Sequence, residues 1–365
     1  MTLIAVLSVI VVVAAALWAL VRVFVRRMTG WAPRHRVATV VDASEDLVIL
    51  DPREYAREPG EITLVWDGGS ARVGDPWSHE GRIARSLLST DGAPPRGEVV
   101  VSPDPGTDPG SAGPFIDVSV PTDIGAMPAW LYGEETGSWA IHVHGVRSRR
   151  LNALWSVPAA TSAGFRSLVI AYRGSPEGQP TRGNAGLGYA EADDVVAAVD
   201  YAIAHGAERI VLFGWSMGAS AALLASESTR VGDRLIGMVL IAPTVSWRHV
   251  MRAGAARMRM PMLVSRVVEA VVQSRTLARL SGLSMPVDLD ALDWLTRSGR
   301  LRVPALVFAS RGDTNVPFAL VERFADANPG MVRVREVAAC RHGWEPNVDP
   351  AAYAKEVEEW LVGRP

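Results

Sequence analysis

Ser216 stands in the run Gly214-Trp215-Ser216-Met217-Gly218, behind the apolar residues 210–213 and ahead of a small-residue, Leu-containing stretch that reads as a helix. A strand, a tight turn with glycine on both sides of a serine, and a helix lift the hydroxyl above the carboxyl edge of a sheet. There it lies near the positive end of the helix, and the chemistry open to it is nucleophilic attack. An unassisted serine hydroxyl is a poor nucleophile, so a base and a carboxylate that orients the base are required. In a sheet of this kind the chain order is serine, acid, histidine, each in a loop after a later strand. Asp313 follows the apolar residues 305–310, and His342, in Arg341-His342-Gly343-Trp344, follows a last strand at 332–337. Seven histidines are present, and of these His342 is the one so placed, while His205 ends a helix and His249 lies in an insert. The rival acids Asp288, Asp290 and Asp293 precede a helix and read as capping or surface residues.

Acyl transfer puts negative charge on the former carbonyl oxygen, which calls for backbone donors. The expected pair is the amide of Met217, next after the serine, and that of Val146, in the loop after the strand at 138–144. His142 and His144 form an H-x-H pair, a spacing that can hold a metal. No third ligand is apparent, and shaping of the Val146 loop is the reading preferred here.

Composition narrows the alternatives. The 365 residues carry a net charge of −2, which gives no general attraction to nucleic acid. One cysteine, Cys340, excludes an intrachain disulfide and a cysteine metal cluster. Lys355, in the terminal helix, is the only lysine, which removes Ser–Lys catalysis, Schiff-base chemistry and a P-loop.

The elements that must position these residues begin with residues 1–21, which carry no charged side chain. A helix of that length spans roughly 30 Å, about a bilayer core. Arg22, Arg26, Arg27, Arg34 and Arg36 follow it, the reverse of a cleaved signal peptide. The expectation is a retained single-pass anchor over 1–27, in the cell membrane, with the remainder cytoplasmic. Residues 28–102 read as a β-rich, acidic accessory region with a turn at Asp67-Gly68-Gly69, and 103–114 (PDPGTDPGSAGP) as a linker or exposed loop. From residue 115 onward an antiparallel pair gives way to strands alternating with helices to residue 363, which predicts a mostly parallel, doubly wound α/β sheet. Residues 246–286, within an insertion at 246–300, hold seven arginines against the single acid Glu269. Methionines 251, 258, 260 and 262 read either as a pliable apolar lining or as helix packing.

Residues 115–363 resemble the α/β-hydrolase superfamily, in its lipase- or esterase-like and prolyl-oligopeptidase-like branches. The resemblance rests on HVHG at 142–145, YRG at 172–174, GLGYAEADDVVAAVDYA at 186–202, GWSMG at 214–218, DTNVP at 313–317 and HGW at 342–344. It implies a helical cap over the nucleophile at 246–300 and a serine hydrolase that needs no cofactor. Ser310 and Ala219 stand where many relatives have glycine. The function expected is cleavage of a carboxylic ester or thioester, from a small-molecule or lipid acyl substrate, through an acyl-enzyme on Ser216. An amide or peptide hydrolase with the same three residues, or a non-catalytic membrane-anchored scaffold, are the alternatives.

Overall fold

The computed structural model describes residues 2–30, 36–181, 184–297 and 299–364. Arg34 of the basic flank, and residues 182–183 of the polar loop after the YRG segment, lie outside them. The chain opens with helix α1 (Thr2–Thr29). Six strands then close into an antiparallel barrel: β1 (Val37–Ala43), β2 (Leu47–Leu50), β3 (Ile62–Trp66), β4 (Gly69–His79), β5 (Arg82–Thr90) and β6 (Gly97–Ser102), in the order β1-β2-β5-β4-β3-β6 with β6 returning to β1. Alternate side chains fill its centre, among them Val40, Val48, Leu50, Ile62, Leu64, Val73, Ile83, Val99 and Val101.

The segment at 103–114 is held at both ends of its run. The carbonyls of Pro103 and Asp104 accept from Trp155 and Thr63. Pro109–Ala112 forms a 3-10 turn capped by Asp108.

The second unit is an eight-stranded sheet of β7 (Phe115–Thr122), β8 (Gly125–Tyr132), β9 (Ser138–Val143), β10 (Arg166–Ile170), β11 (Arg209–Trp215), β12 (Leu235–Ile241), β13 (Ala305–Ser310) and β14 (Val332–Val337). Its order is β14-β13-β12-β11-β9-β10-β8-β7, parallel from β14 to β10 and antiparallel at β8 and β7. The middle strands β9 and β13 are buried at every residue, because helices cover both faces and leave no polar side for alternation. The covering helices are α2 (Val157–Ser162), α3 (Ala192–Ala204), α4 (Met217–Ala225), α8 (Phe318–Ala327), α9 (Glu345–Val348) and α10 (Pro350–Val362). The chain is thus an α/β-hydrolase fold preceded by a small barrel and an apolar helix.

Within the insertion at 246–300 lie three helices, α5 (Trp247–Arg257), α6 (Met262–Gln273) and α7 (Arg275–Ser281), and the described residues after Ser281 run as turns and irregular segments to β13. Met251 is fully buried and Met258 and Met260 pack against the core, whereas Met262 is largely exposed. Arg252 forms a two-pronged pair with Glu269, at 2.8 and 2.9 Å, and Arg248 pairs with Asp290. The last turns of α1 join this insertion: Val21, Phe24 and Val25 are buried in the same core, and Arg27 reaches the Met258 sulfur.

Candidate active site

The turn after β11 carries Ser216 at φ 52°, ψ −110°, a left-handed-side backbone that side-chain-bearing residues rarely adopt. Its amide donates to Ile241 and its carbonyl accepts from Ala219 and Thr244, so the strained residue is held on both sides. The flanking glycines are required by space. A Cβ on Gly214 would fall 2.6 Å from the Ala219 Cα, and one on Gly218 would fall 2.2 Å from the Val143 carbonyl oxygen. Helix α4 therefore runs directly under the end of β9, and its small residues permit that approach.

Three loops from distant parts of the chain meet at this turn. His342 Nε2 lies 2.7 Å from Ser216 Oγ, and His342 Nδ1 lies 2.6 Å from Asp313 Oδ2. An ionised carboxylate only accepts, so Nδ1 carries the proton, Nε2 is the acceptor, and the serine hydroxyl donates to it. Asp313 Oδ1 accepts from the amides of Asn315 and Val316, at 2.7 and 2.9 Å, which leaves Oδ2 aimed at the imidazole. Burial works against a charged His342 ring. The charge and hydrogen bond of Asp313, with Glu345 behind them, outweigh it, and the net effect raises its pKa. Glu345, three residues on, is itself buried, and its pKa is pushed up by that burial and by Asp313.

Beside the serine lies the loop after β9. A Cβ on Gly145 would stand 3.4 Å from the Ser216 Cβ, so Val146 follows at the edge of the site. Tyr172 donates to the Gly145 carbonyl at 2.7 Å and Ser148 to the same oxygen at 2.8 Å. Met217 opens α4, where a helical amide has no partner inside its own helix. His142 and His144 do not converge: His142 stacks on Phe213 and His144 on Tyr172, with His144 Nδ1 2.9 Å from the Gly145 carbonyl. Burial lowers both pKa values, to about 3 and about 4, so both rings are neutral. Among the described residues no group of three His, Cys, Asp or Glu is arranged to hold a metal.

The remaining candidates stay away from the serine. Asp288 caps the amides of Asp290 and Ala291, Asp293 accepts from Leu295, His205 stacks on Tyr201, and His249 bonds Ser246. Two further residues brace the site in ways that no motif indicates. Ser310 accepts from the amides of Gly312 and Cys340 and donates to the Ala338 carbonyl, tying the Asp313 loop to the His342 loop. Asp194, in the first turn of α3, grips the side chain and amide of Arg173 in the YRG turn, at 2.7–2.9 Å.

Comparison with known proteins agrees with this architecture. A model described as the alpha/beta hydrolase family matches residues 137–356, and the chain belongs to that family. A second model, described only as a domain of unknown function, matches residues 36–102, the barrel. Among solved structures, an esterase of Pyrococcus furiosus, Pf2001, is 18% identical, covering 70% of this chain and 95% of its own at a TM-score of 0.53. A serine hydrolase from Cycloclasticus zankles is 15% identical, covering 68% and 99% at 0.50. Est1E from Butyrivibrio proteoclasticus, seen with ferulic acid bound, is 14% identical, covering 67% and 98% at 0.50. At these identities the likeness is one of fold. No curated protein sequence matches.

Proposed function

We propose that this chain is a membrane-anchored serine hydrolase that cleaves a carboxylic ester or thioester through an acyl-enzyme. The observation that carries the reading is the hydrogen-bonded line Ser216–His342–Asp313, at 2.7 and 2.6 Å. Ser216 Oγ attacks the acyl carbon while its proton passes to His342 Nε2, and Asp313 holds the imidazole and stabilises its charged form. The amides of Met217 and Val146 receive the developing oxyanion. His342 then protonates the leaving alkoxide or thiolate, and water, deprotonated by the same nitrogen, releases the acid. Esters are the substrates named by the esterase neighbours, and that class is carried to this chain as part of the proposal.

Helix α1 supports the anchor. Residues Val6–Thr29 are long and apolar enough to cross a membrane, with a mean hydropathy of 2.6. Val21, Phe24 and Val25 are buried against the insertion, and Leu17 and Trp18 pack, partly buried, on the same core, so the span overlaps the packed end of the helix. The 24 residues Val6–Thr29 rise about 36 Å, against a bilayer core of about 30 Å. No spacer then separates the bilayer from the hydrolase, and the insertion helices lie at the headgroup level with Arg22, Arg26 and Arg27, on the cytoplasmic side by the positive-inside rule. Met262, Leu263 and Leu280 of α6 and α7 are exposed by 60–64% and suit contact with lipid.

The test is turnover of p-nitrophenyl esters of rising chain length, beside the matching p-nitroanilides, by the full chain in detergent. Ester cleavage with a chain-length optimum is expected. Cleavage of the anilides alone would assign the site to amides instead.

A further inference from the structure

The His342 loop emerges from β14, the edge strand of the sheet, so the sheet supports it from one side only. On that side the Ser310 hydroxyl accepts from the Cys340 amide at 2.9 Å. The other side is occupied by the barrel. Cys340 and Trp344, which bracket His342, are both almost fully buried and belong to the barrel's own hydrophobic core, with Val337 and Val348 packed against its margin.

The contacts fall on both neighbours of the histidine. Glu58, buried between the barrel and the loop, accepts from the Arg341 amide at 3.3 Å and from its guanidinium. Tyr55 stacks on Trp344 with ring centroids 6.4 Å apart, and the Arg341 guanidinium lies 4.8 Å over Tyr55 on its way to Glu58. Gly60 is pressed against the backbone of Asn347, where a Cβ would sit 1.5 Å from the carbonyl oxygen. Alongside it, Glu61 donates its amide to that same oxygen at 2.9 Å, and the Asn347 side chain donates back to Glu61 and to Pro103.

The barrel segment that makes these contacts, residues 54–61, is itself fixed from inside. Arg85 is wholly buried and donates to the carbonyls of Ala56, Glu58, Gly60 and Gly74. Its charge is satisfied by four carbonyls of the loop and of the strand beside it, with Asp75 and Glu58 nearby. A buried cation on such a cradle resists any loosening of the segment, since each freed group would be left unpaired.

We infer that the barrel at residues 36–102 is a clamp for the catalytic base: it sets the position of His342, through Glu58, Tyr55 and Gly60, and the hydrolase needs it for turnover. The inference rests on the assignment of His342 as base. Among the described residues the hydrogen-bond partners of Ser216 are His342, Ile241, Ala219 and Thr244, none of them in the barrel, so the role assigned to the barrel is positioning. Displacement of a catalytic group by about 1 Å can cost about 10²-fold in rate.

The experiment measures kcat, KM and the pH profile of p-nitrophenyl ester hydrolysis by the full chain in detergent. The variants are Glu58→Gln, Tyr55→Ala, Tyr55→Phe and, as reference, Ser216→Ala, each with thermal unfolding recorded. Glu58→Gln and Tyr55→Ala are expected to lower kcat by about 10- to 100-fold with KM within twofold. Their acid limb should shift as the His342–Asp313 bond loosens, while Tyr55→Phe keeps the ring and restores turnover. Should Tyr55→Ala not fold, Glu58→Gln, which keeps the side-chain volume, decides. Turnover within twofold of wild type in folded Glu58→Gln and Tyr55→Ala, with Ser216→Ala dead, overturns the clamp and leaves the hydrolase reading standing. Wild-type activity that persists unchanged in Ser216→Ala overturns that reading and the clamp with it.

Discussion

Arg147 donates its guanidinium to the carbonyl of Arg26 at 2.6 Å, joining the last turn of the apolar helix to the loop that borders Ser216. Arg147 sits one residue beyond Val146 and adopts φ 62°, so the end of α1 and the proposed oxyanion loop share one fixed contact. A cation at a helix carboxyl terminus is also favoured by the helix dipole. Helix α1 is therefore part of the enzyme's structure as well as a candidate membrane span.

A chain that begins at Leu17 is predicted to fold as the full chain does, and one that begins at Gly30 is not. The second loses Val21, Phe24 and Val25 from the core. Burial of such side chains is worth roughly 1.5–3 kcal/mol each, against a total stability of roughly 5–15 kcal/mol. Thermal unfolding of the two in the same detergent checks this. Equal midpoints would show that the helix end adds nothing to the fold.

Ser310→Ala is predicted to lower stability by about 1–3 kcal/mol, because the buried amide of Cys340 and the half-buried amide of Gly312 lose their acceptor. It should also lower kcat, since the same hydroxyl spans the acid and histidine loops. Chemical denaturation and steady-state rates measure both effects, and an unchanged kcat in the destabilised variant would separate the two loops.

Activity is predicted to fall on the acid side as His342 takes a proton, because only the neutral ring can accept the serine's. The net raised pKa places that limb above the ordinary imidazole value of about 6.5. Glu345 favours the imidazolium only when ionised, and burial and Asp313 push its pKa up to about 8, so Glu345→Gln, which resembles the protonated acid, should leave the acid limb of kcat/KM in place. Stability should change instead. A carboxyl whose pKa is raised on folding binds its proton more tightly in the folded state, so wild-type stability falls as pH climbs from the unfolded to the folded pKa. Glu345→Gln should be free of that fall. An acid limb displaced by the substitution would show that Glu345 is ionised while His342 titrates.

Replacing Met262, Leu263 and Leu280 together with Gln is predicted to spare hydrolysis of a short, water-soluble p-nitrophenyl ester. The same change should reduce hydrolysis of a long-chain ester residing in an anionic nanodisc several-fold. The three side chains are exposed and lie on the helices that pack against α1. Equal loss on both substrates would mean that the face serves the insertion's own packing.

The parts of the site legible in the sequence were those encoded locally. Gly214, Ser216 and Gly218 fix one turn, and β13 and β14 occupy the residues read as strands, because fully buried or edge-forming runs between turn residues announce themselves. The chain order of Ser216, Asp313 and His342 follows from the sheet topology. What was not legible depends on contacts far apart in sequence. Glu58 and Arg341 are 283 residues apart, and neither belongs to a motif. Arg85 looks like any charged strand residue until the loop it fastens folds over it. The Pro- and Gly-rich run at 103–114 has the composition of a free linker, yet Pro103 accepts from Trp155 and Asn347. Composition reports how a segment is built, and the surface it meets is set by the whole fold.

Reaction of Ser216 with a fluorophosphonate probe tests the central claim most directly. The full chain in detergent should be labelled at one site, and Ser216→Ala, folded to the same thermal midpoint, should not be labelled at all. Labelling of Ser216→Ala equal to that of the wild type, or a folded wild-type chain that stays unlabelled with lipid present, would contradict the assignment of Ser216 as the nucleophile.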